Sequence, residues 1–208
     1  MNAIVLRYSA VILAGGFSRR FGSDKGLVSL MGKPLVRHVV DKIPPVFNEI
    51  LIVVSSEQQK KNFEFVVGND VKYVIDKDNR QSPLIGSITG FENAIGDYSV
   101  LLPCDAPLIS TRIIQLLLDL CNNRTTVIPR WPNGYIEPLQ AVYHTESALI
   151  AAKKAFTEGH LNMRSMIKKI AKVHYVSTTI LEIYDPDLLT FFNVNTPQDL
   201  LKASENLG

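Results

Sequence analysis

The fold of this chain is decided by the stretch Val11-Ile12-Leu13-Ala14-Gly15-Gly16-Phe17-Ser18-Arg19-Arg20-Phe21-Gly22-Ser23-Asp24-Lys25-Gly26. An apolar run ends at two adjacent glycines, and a polar loop with two arginines, a third glycine and a lysine follows. Glycine lets backbone N–H groups approach an anion closely, and the cations balance its charge. A buried strand that leads into a basic, glycine-rich loop therefore predicts a polyphosphate site.

Two common phosphate-binding motifs do not fit this loop. The loop is not a Walker motif, because Gly16 and Gly22 are about six positions apart and Ser23 rather than lysine follows Gly22. The dinucleotide fingerprint G-x-G-x-x-G is also missing from the loop. The remaining alternative is a basic surface turn, which the paired glycines and three cations disfavour. Lys25 is the strongest phosphate ligand because its charge is compact and its stem flexible, while Arg19 and Arg20 compete for a second role.

Strands and helices alternate over about the first 130 residues. The pattern predicts strands over residues 8–13, 49–54, 71–75, 99–102 and 125–128, and helices over about 34–43, 56–65, 83–95 and 110–121. Further strands are predicted over 138–143, 172–176 and 191–193, and helices over 146–156, 163–170 and from Pro197 onward. This alternation is typical of βαβ units. It predicts one α/β domain with a mainly parallel sheet and a ligand site at the carboxyl edge of that sheet.

Polar residues follow each of the first four predicted strands. The glycine loop follows the first, and Ser55, Asp76 and Asp105 follow the next three. Carboxyl ends of parallel strands share one edge, so these residues are expected to converge on one cleft. Asp105 lies between two prolines in a short loop, where its carboxylate is expected to be exposed and to suit Mg²⁺, which takes one or two protein carboxylates. The alternative is a turn aspartate ahead of the helix cap Ser110.

Bulk composition indicates an ordinary soluble protein. Its 208 residues are 46% hydrophobic and 20% charged, with a formal net charge of +2. That balance gives no reason to expect a nucleic-acid partner, and no apolar run is long enough for a membrane span. Cys104 and Cys121 fall in different predicted elements, which disfavours a disulfide scaffold and fits a reducing compartment. We therefore predict a cytoplasmic protein.

Five motifs, taken together, carry a family resemblance. In chain order they are Leu13-Ala14-Gly15-Gly16-x-Ser18-x-Arg20-x-Gly22-x-x-Lys25, Gly32-Lys33-Pro34-Leu35, Pro83-Leu84-x-Gly86, Leu102-Pro103-Cys104-Asp105-Ala106-Pro107 and Phe192-Asn193-Val194-Asn195-Thr196-Pro197. They span nearly the whole chain. They resemble the GT-A-like nucleotidyltransferase superfamily and, within it, the molybdenum cofactor guanylyltransferase (molybdopterin-guanine dinucleotide synthase) family.

The resemblance implies a fold. It is a single-domain, three-layer αβα architecture with a Rossmann-like, mostly parallel twisted sheet of the nucleotide-diphospho-sugar transferase type, covering residues 1–208. The nucleotide-binding part would span about residues 8–125, and the acceptor-binding part about 126–208. The activity implied is Mg²⁺-dependent transfer of GMP from GTP to molybdenum-molybdopterin, with release of pyrophosphate. Cofactor-delivering or molybdoenzyme-maturation proteins are implied as partners.

The resemblance also implies residue roles. Arg20, Lys25 and Asp105 would be catalytic, with Asp105 holding Mg²⁺. The nucleotide would meet Leu13, Ala14, Gly15, Gly16, Lys25, Ser55, Asp76, Gly86 and Asp105, and the acceptor would meet Arg164, Asn193 and Asn195. From the residues alone, several have plain structural alternatives: Asp76 and its neighbour Asp78 as solvated loop carboxylates, Arg164 as part of a solvated basic face, and Asn193 and Asn195 as helix-capping residues.

Some positions depart from the family pattern. Ser55 stands where the family commonly has an Asn that recognises guanine, Ser82 where it often has Gly, and Glu137 where it often has His before Pro138. Trp131, the only tryptophan, is expected to be a partly buried loop anchor, with a lid or pterin-stacking platform as the alternative. Alternative functions are a related transferase using CTP or a sugar or polyol phosphate acceptor, and a non-catalytic nucleotide-binding regulator on the same fold.

Overall fold

A computed structural model describes residues 5–15, 17–18, 23–76, 78 and 80–207 of the chain. Seven strands form the central sheet. They are β1 (Tyr8–Leu13), β2 (Glu49–Val54), β3 (Lys72–Ile75), β4 (Tyr98–Pro103), β5 (Thr126–Arg130), β6 (Ala141–His144) and β7 (Val173–Ser177). Two short hairpins pair Phe17–Ser18 with Ser23–Asp24 and Ser29–Leu30 with Lys33–Pro34.

Eight α-helices accompany the sheet in the described part of the chain. They are α1 (Leu35–Asp41), α2 (Glu57–Val67), α3 (Pro83–Asn93), α4 (Thr111–Asp119), α5 (Thr145–Thr157), α6 (Met163–Ile167), α7 (Thr178–Leu181) and α8 (Pro197–Glu205). Lys25–Leu27 and Leu189–Phe191 form 3₁₀ turns. None of these helices combines the length and the apolar character that a membrane span requires.

The strands lie in the order β7-β5-β6-β4-β1-β2-β3. The β4-β1-β2-β3 portion is parallel throughout, and β7 is parallel to β5. Strand β6 runs antiparallel to both of its neighbours, β4 and β5. The mostly parallel sheet predicted from the βαβ alternation is therefore confirmed, and one reversed strand separates the β5 and β7 edge from the rest.

Apolar side chains cover both faces of the sheet. On β1, Ala10 and Ile12 pack with α1, α2 and α4, while Val11 points to the opposite face and packs with α3, α5 and α6. This alternation follows from the period of two along a strand. The result is a three-layer αβα arrangement, as predicted. A smaller cluster around Leu30, Leu35 and Val194 joins α8 to the Ser29–Pro34 hairpin.

The prediction of a strand over residues 191–193 is wrong. The chain forms a 3₁₀ turn at Leu189–Phe191, begun by Leu188 in the left-handed region at φ 49°. The Asp185 carboxylate accepts hydrogen bonds from the backbone N–H groups of Leu189 (3.1 Å) and Thr190 (2.8 Å). Those N–H groups are therefore satisfied locally instead of by a sheet neighbour, which favours a turn. Val194 N then donates to the Asp105 carbonyl at 2.9 Å.

Candidate active site

The carboxyl ends of four strands meet at one edge of the sheet, as predicted. Backbone hydrogen bonds continue past the strands and hold the loops in register. Ala14 N donates to the Val53 carbonyl at 2.9 Å, Asp76 N to the Val54 carbonyl at 2.7 Å, and Cys104 N to the Leu13 carbonyl at 3.1 Å. The residues that follow β1, β2, β3 and β4 are thereby brought side by side.

Lys25 reaches this edge through a tight backbone approach at Gly26. Gly26 is buried, and a Cβ placed on it would lie 2.9 Å from the Phe63 ring and 3.2 Å from the Cys104 sulfur. Because these atoms belong to packed core side chains, only glycine lets the 3₁₀ turn sit this close to the sheet. The turn sets Lys25 beside the loop that follows β4.

Lys25, Asp105 and Asn195 form one contact cluster, which we call the lysine–carboxylate cluster. The Lys25 ammonium pairs with Asp105 Oδ2 and donates a hydrogen bond to Asn195 Oδ1 at 2.6 Å. The exposed fractions of the Lys25 and Asp105 side chains are 21% and 12%. Asp105 is thus less exposed than the sequence suggested, because the lysine covers and neutralises it.

The oxygen atoms of this cluster fit a magnesium ion by their chemistry. The Asp105 carboxylate and the Asn195 amide oxygen already converge on one cation, the Lys25 ammonium. Mg²⁺ prefers oxygen ligands, uses few protein carboxylates and keeps several waters. Among the described residues, no group of three or more His, Cys, Asp or Glu side chains could form a richer metal site.

Gln59 is a site residue that the sequence interpretation missed. It lies on α2, is 3% exposed, and bonds to Ala14, Asp24 and Ser55. The sequence carries a signal for it, since Ser56-Glu57-Gln58-Gln59 has the S-x-x-Q form of a capping box. Ser56 Oγ does accept from Gln59 N at 3.1 Å. The Gln59 side chain, however, extends to Ser55 and to the end of β1.

Asp76 and Asp78 are placed differently at the end of β3. Asp76 Oδ1 accepts from Asp78 N at 3.1 Å and from Thr89 Oγ1 at 3.3 Å. Asp78 is engaged by the Arg80 guanidinium, whose hydrogen bonds lower the pKa of the Asp78 carboxyl to about 2. Asp78 is therefore committed to a surface ion pair, and Asp76 is the carboxylate held at the sheet edge.

The remaining nucleotide-site candidates lie around the end of β1. Leu13 is half-buried, and Gly15 is exposed with open space where a Cβ would lie. A Cβ on Gly86 would lie 3.3 Å from a Leu13 methyl group, so Gly86 lets α3 approach the β1 end closely. Gly16, Arg19 and Arg20 lie outside the described residues. Cys104 is buried, and burial raises the pKa of its thiol, so it packs in the core rather than acting as a nucleophile.

A cavity of about 390 Å³ lies between the segment 135–140 and the start of α6. Arg164 and Asn193, two of the residues predicted to meet the acceptor, both line it. The Arg164 guanidinium lies 4.8 Å from the centroid of the Tyr135 ring, and Asn193 Oδ1 accepts from Gln140 Nε2 at 3.4 Å. Asn195 is not part of the lining and instead contacts Lys25. Of the three predicted acceptor residues, Arg164 and Asn193 therefore lie at the cavity, and Asn195 lies in the lysine–carboxylate cluster.

Glu137 also lines this cavity. Trp131 Nε1 donates to Glu137 Oε1 at 2.6 Å, and the Trp131 ring packs edge-on against Phe191 at a centroid distance of 5.8 Å. Trp131 is half-buried, in agreement with the anchor interpretation. Burial raises the pKa of the Glu137 carboxyl, and the hydrogen bond from Trp131 offsets part of that rise.

Comparison with known proteins assigns the chain to a family. Residues 10–173 match the model of the MobA-like NTP transferase domain. A probable molybdenum cofactor guanylyltransferase from Natranaerobius thermophilus is 34% identical over 96% of this chain and 96% of its own length. Another so named, from Pyrococcus horikoshii, is 34% identical over 94% of this chain and 98% of its own length.

A solved structure extends the similarity to three dimensions. The crystal structure of molybdopterin-guanine dinucleotide biosynthesis protein A from Archaeoglobus fulgidus has a TM-score of 0.79 and 26% identity, covering 96% of this chain and 98% of that one. The similarity therefore holds in sequence and in fold over nearly the full length of both molecules. This chain belongs to the MobA-like NTP transferase family.

Proposed function

We propose that this protein transfers GMP from GTP to molybdenum-molybdopterin, forming molybdopterin guanine dinucleotide and pyrophosphate. The observation that carries the proposal is the lysine–carboxylate cluster at the carboxyl edge of the sheet, where Lys25, Asp105 and Asn195 meet. The names of the full-length relatives support the choice of GTP and molybdopterin as substrates. The cluster supplies the charges that phosphoryl transfer needs.

The chemistry requires positioning more than acid–base catalysis. The terminal phosphate of the acceptor is already an anion, so its attack on the α-phosphorus of GTP needs no strong general base. The enzyme must align the two groups and neutralise the charge that develops on the phosphoryl and leaving groups. In this proposal the backbone N–H groups of Gly15 and Gly16 and the cations of Arg20 and Lys25 hold the phosphates.

Asp105, with the Asn195 amide oxygen, would hold Mg²⁺. Bound there, the ion would neutralise negative charge on the phosphoryl oxygens. Lys25 would then exchange its carboxylate partner for a nucleotide phosphate. Its flexible stem suits that exchange, and its place between Asp105 and Asn195 keeps the ammonium at the sheet edge in the meantime.

We propose that the acceptor occupies the cavity lined by Arg164 and Asn193. Arg164 offers a planar cation for a phosphate, and Asn193 offers an amide for polar groups of the pterin. Val194 lies between Asn193 and Asn195, so this short segment would connect the acceptor to the lysine–carboxylate cluster. The proposed division is a nucleotide-binding part at residues 8–125 and an acceptor-binding part at 126–208.

Product analysis tests the proposed reaction. Purified protein is mixed with Mg²⁺, molybdenum-molybdopterin and either GTP or CTP, and both pyrophosphate and the dinucleotide are quantified. We expect pyrophosphate and guanine dinucleotide in equal amounts from GTP. Equal or faster turnover of CTP would instead assign the protein as a cytidylyltransferase, and nucleotide binding without pyrophosphate release would favour a non-catalytic regulator.

A further inference from the structure

Gln59 is a buried side chain that connects three segments at the carboxyl edge of the sheet. Its Nε2 donates to the Ala14 carbonyl at 2.9 Å and to Asp24 Oδ1 at 3.2 Å. Its Oε1 accepts from the backbone N of Ser55 at 2.6 Å and from Ser55 Oγ at 2.9 Å. The ends of β1 and β2 and the residue before Lys25 are therefore linked through one amide group.

The surrounding backbone determines which way this amide points. A carbonyl oxygen can only accept a hydrogen bond, so the group facing Ala14 O must be the amide nitrogen. A backbone N–H can only donate, so the group facing Ser55 N must be the amide oxygen. Reversing the amide would place two donors together at Ser55 and two acceptors together at Ala14, and it would leave buried polar groups unsatisfied.

The orientation of Gln59 decides the polarity of the Ser55 hydroxyl. Because Gln59 Oε1 carries no proton, the 2.9 Å contact can form only if Ser55 supplies its single hydroxyl proton. Ser55 Oγ then has only lone pairs to offer another partner. A serine hydroxyl, which ordinarily rotates to donate or accept, becomes an acceptor at this position.

We infer that Gln59 is a positioning residue that makes Ser55 a hydrogen-bond acceptor toward the nucleobase, so that this edge selects a base presenting N–H donors. The inference rests on the proposed function, with Ser55, half-buried where β2 ends at the carboxyl edge of the sheet, meeting the base of the nucleotide. Guanine presents adjacent N1–H and N2–H donors on its Watson–Crick edge. Cytosine and adenine present a single amino donor beside an unprotonated ring nitrogen, and an acceptor-only serine is repelled by that ring nitrogen.

This arrangement gives Ser55 a fixed polarity that an asparagine at the same position would not have. An asparagine side chain carries separate donor and acceptor atoms, so its polarity toward a base depends on how the amide is turned. Ser55 reaches a defined polarity with a smaller side chain because Gln59 fixes its proton. The selecting element is therefore the Ser55–Gln59 pair.

The test is a binding comparison that needs no acceptor substrate. Equilibrium dissociation constants for GTP, CTP and ATP are measured on the full chain and on the variants Ser55→Ala, Ser55→Thr, Gln59→Met and the Ser55→Ala/Gln59→Met double variant. Ser55→Ala is expected to reduce the preference for GTP over CTP by roughly 5- to 10-fold, the value of one hydrogen bond. Ser55→Thr, which keeps the hydroxyl, is expected to retain the preference.

Gln59→Met tests whether Gln59 acts through Ser55. It should lower the GTP preference when Ser55 is present and leave the ratio unchanged when Ser55 is already Ala. If Gln59 had a merely structural role, Gln59→Met would weaken the binding of GTP, CTP and ATP alike, whether residue 55 is Ser or Ala. Should Gln59→Met fail to fold, the Ser55→Ala and Ser55→Thr pair still decides the acceptor role.

An unchanged GTP-to-CTP ratio in Ser55→Ala would overturn the inference, as would a wild-type protein with no preference for GTP. The first result would leave the proposed transfer reaction standing. The opposite combination is also informative. If the preference for GTP changes in these variants as expected but the protein releases no pyrophosphate, the inference is supported and the proposed function is contradicted.

Discussion

At the residue scale, the structure centres on a lysine that neutralises a carboxylate. Lys25 and Asp105 are predictable from sequence, because each follows a strand of a parallel sheet and such residues share one edge. Their partner Asn195 is 170 positions from Lys25 in the sequence, and no local sequence pattern predicts the contact between them. The contact depends on how the last segment of the chain returns to the sheet, which is a property of the folded molecule.

Replacing Lys25 tests its role directly. Lys25→Ala would remove a phosphate ligand and leave the Asp105 carboxylate without its cation, so we expect pyrophosphate release to fall by about 100-fold. The matched control is Lys60→Ala, which removes a lysine paired with Glu64 at 3.6 Å on the surface of α2. Steady-state rates are compared for the two variants. A similar, small loss in both would speak against a phosphate role for Lys25.

Glu137 gives a pH-dependent prediction. Burial raises the pKa of its carboxyl in the folded state above its usual 4.5. A raised acid pKa means that the folded protein binds more protons than the unfolded chain, so the contribution to stability falls as pH rises from 4.5 through the folded pKa. Glu137→Gln removes this titration and keeps an oxygen acceptor for Trp131.

Denaturant unfolding of the wild type and Glu137→Gln over a pH series measures this effect. The difference in unfolding free energy between the two proteins should move in favour of the variant as pH rises. Titrations elsewhere in the chain cancel in that difference. A difference that is constant with pH would show that the Glu137 carboxyl titrates normally.

At the element scale, the helix starts follow local chemistry and were largely predictable. Ser56 and Ser110 cap α2 and α4 as expected, and Thr196 forms a capping box with Asp199. Ser82 caps α3 by accepting from Ile85 N at 3.2 Å. Helix caps are local and therefore visible in sequence. The predicted strand over 191–193 is wrong because the backbone N–H groups of Phe191 and Phe192 bond within the turn, to the carbonyls of Leu188 and Leu189.

The capping box of α8 gives a prediction about activity as well as stability. Asp199 accepts from the backbone N of Asn195 at 3.0 Å and of Thr196 at 2.9 Å, so the box also holds the residue that contacts Lys25. Thr196→Ala is expected to cost about 1 kcal/mol of stability and to lower kcat/KM several-fold. Ser110→Ala, at the start of α4, is the control.

Both variants are compared by thermal unfolding and by steady-state kinetics. Similar stability losses are expected for the two, with kcat/KM reduced only in Thr196→Ala. Equal kcat/KM values for both variants would show that the α8 start has no part in ordering Asn195.

At the scale of the whole molecule, the strands of the central sheet were largely predictable from the sequence. The predicted bounds of β1 and β2 match the structure, and those of β3 and β4 lie within one residue of it at each end. Continuous apolar runs between helices make these strands clear. The predicted bounds of the later strands are less accurate. The strand predicted over 138–143 begins only at Ala141. Pro138 lacks the N–H that a ladder needs.

The only tryptophan can report on the two proposed parts separately. Trp131 bonds to Glu137, which lines the acceptor cavity. We expect its fluorescence to change when molybdopterin is added and to stay constant when GTP is added alone. Glu137→Gln keeps the indole in place and serves as a comparison. A response to GTP and none to molybdopterin would contradict the proposed division of the chain.

The proposed transfer of GMP depends most on Asp105, the carboxylate that would hold Mg²⁺. The most direct measurement is the single-turnover rate of GMP transfer from GTP to molybdenum-molybdopterin in Asp105→Asn, beside a surface control, Asp70→Asn, whose side chain is exposed. We predict that Asp105→Asn remains folded, judged by circular dichroism, and transfers at least about 100-fold more slowly, while Asp70→Asn is unchanged. Transfer by Asp105→Asn at close to the wild-type rate would contradict a catalytic role for Asp105.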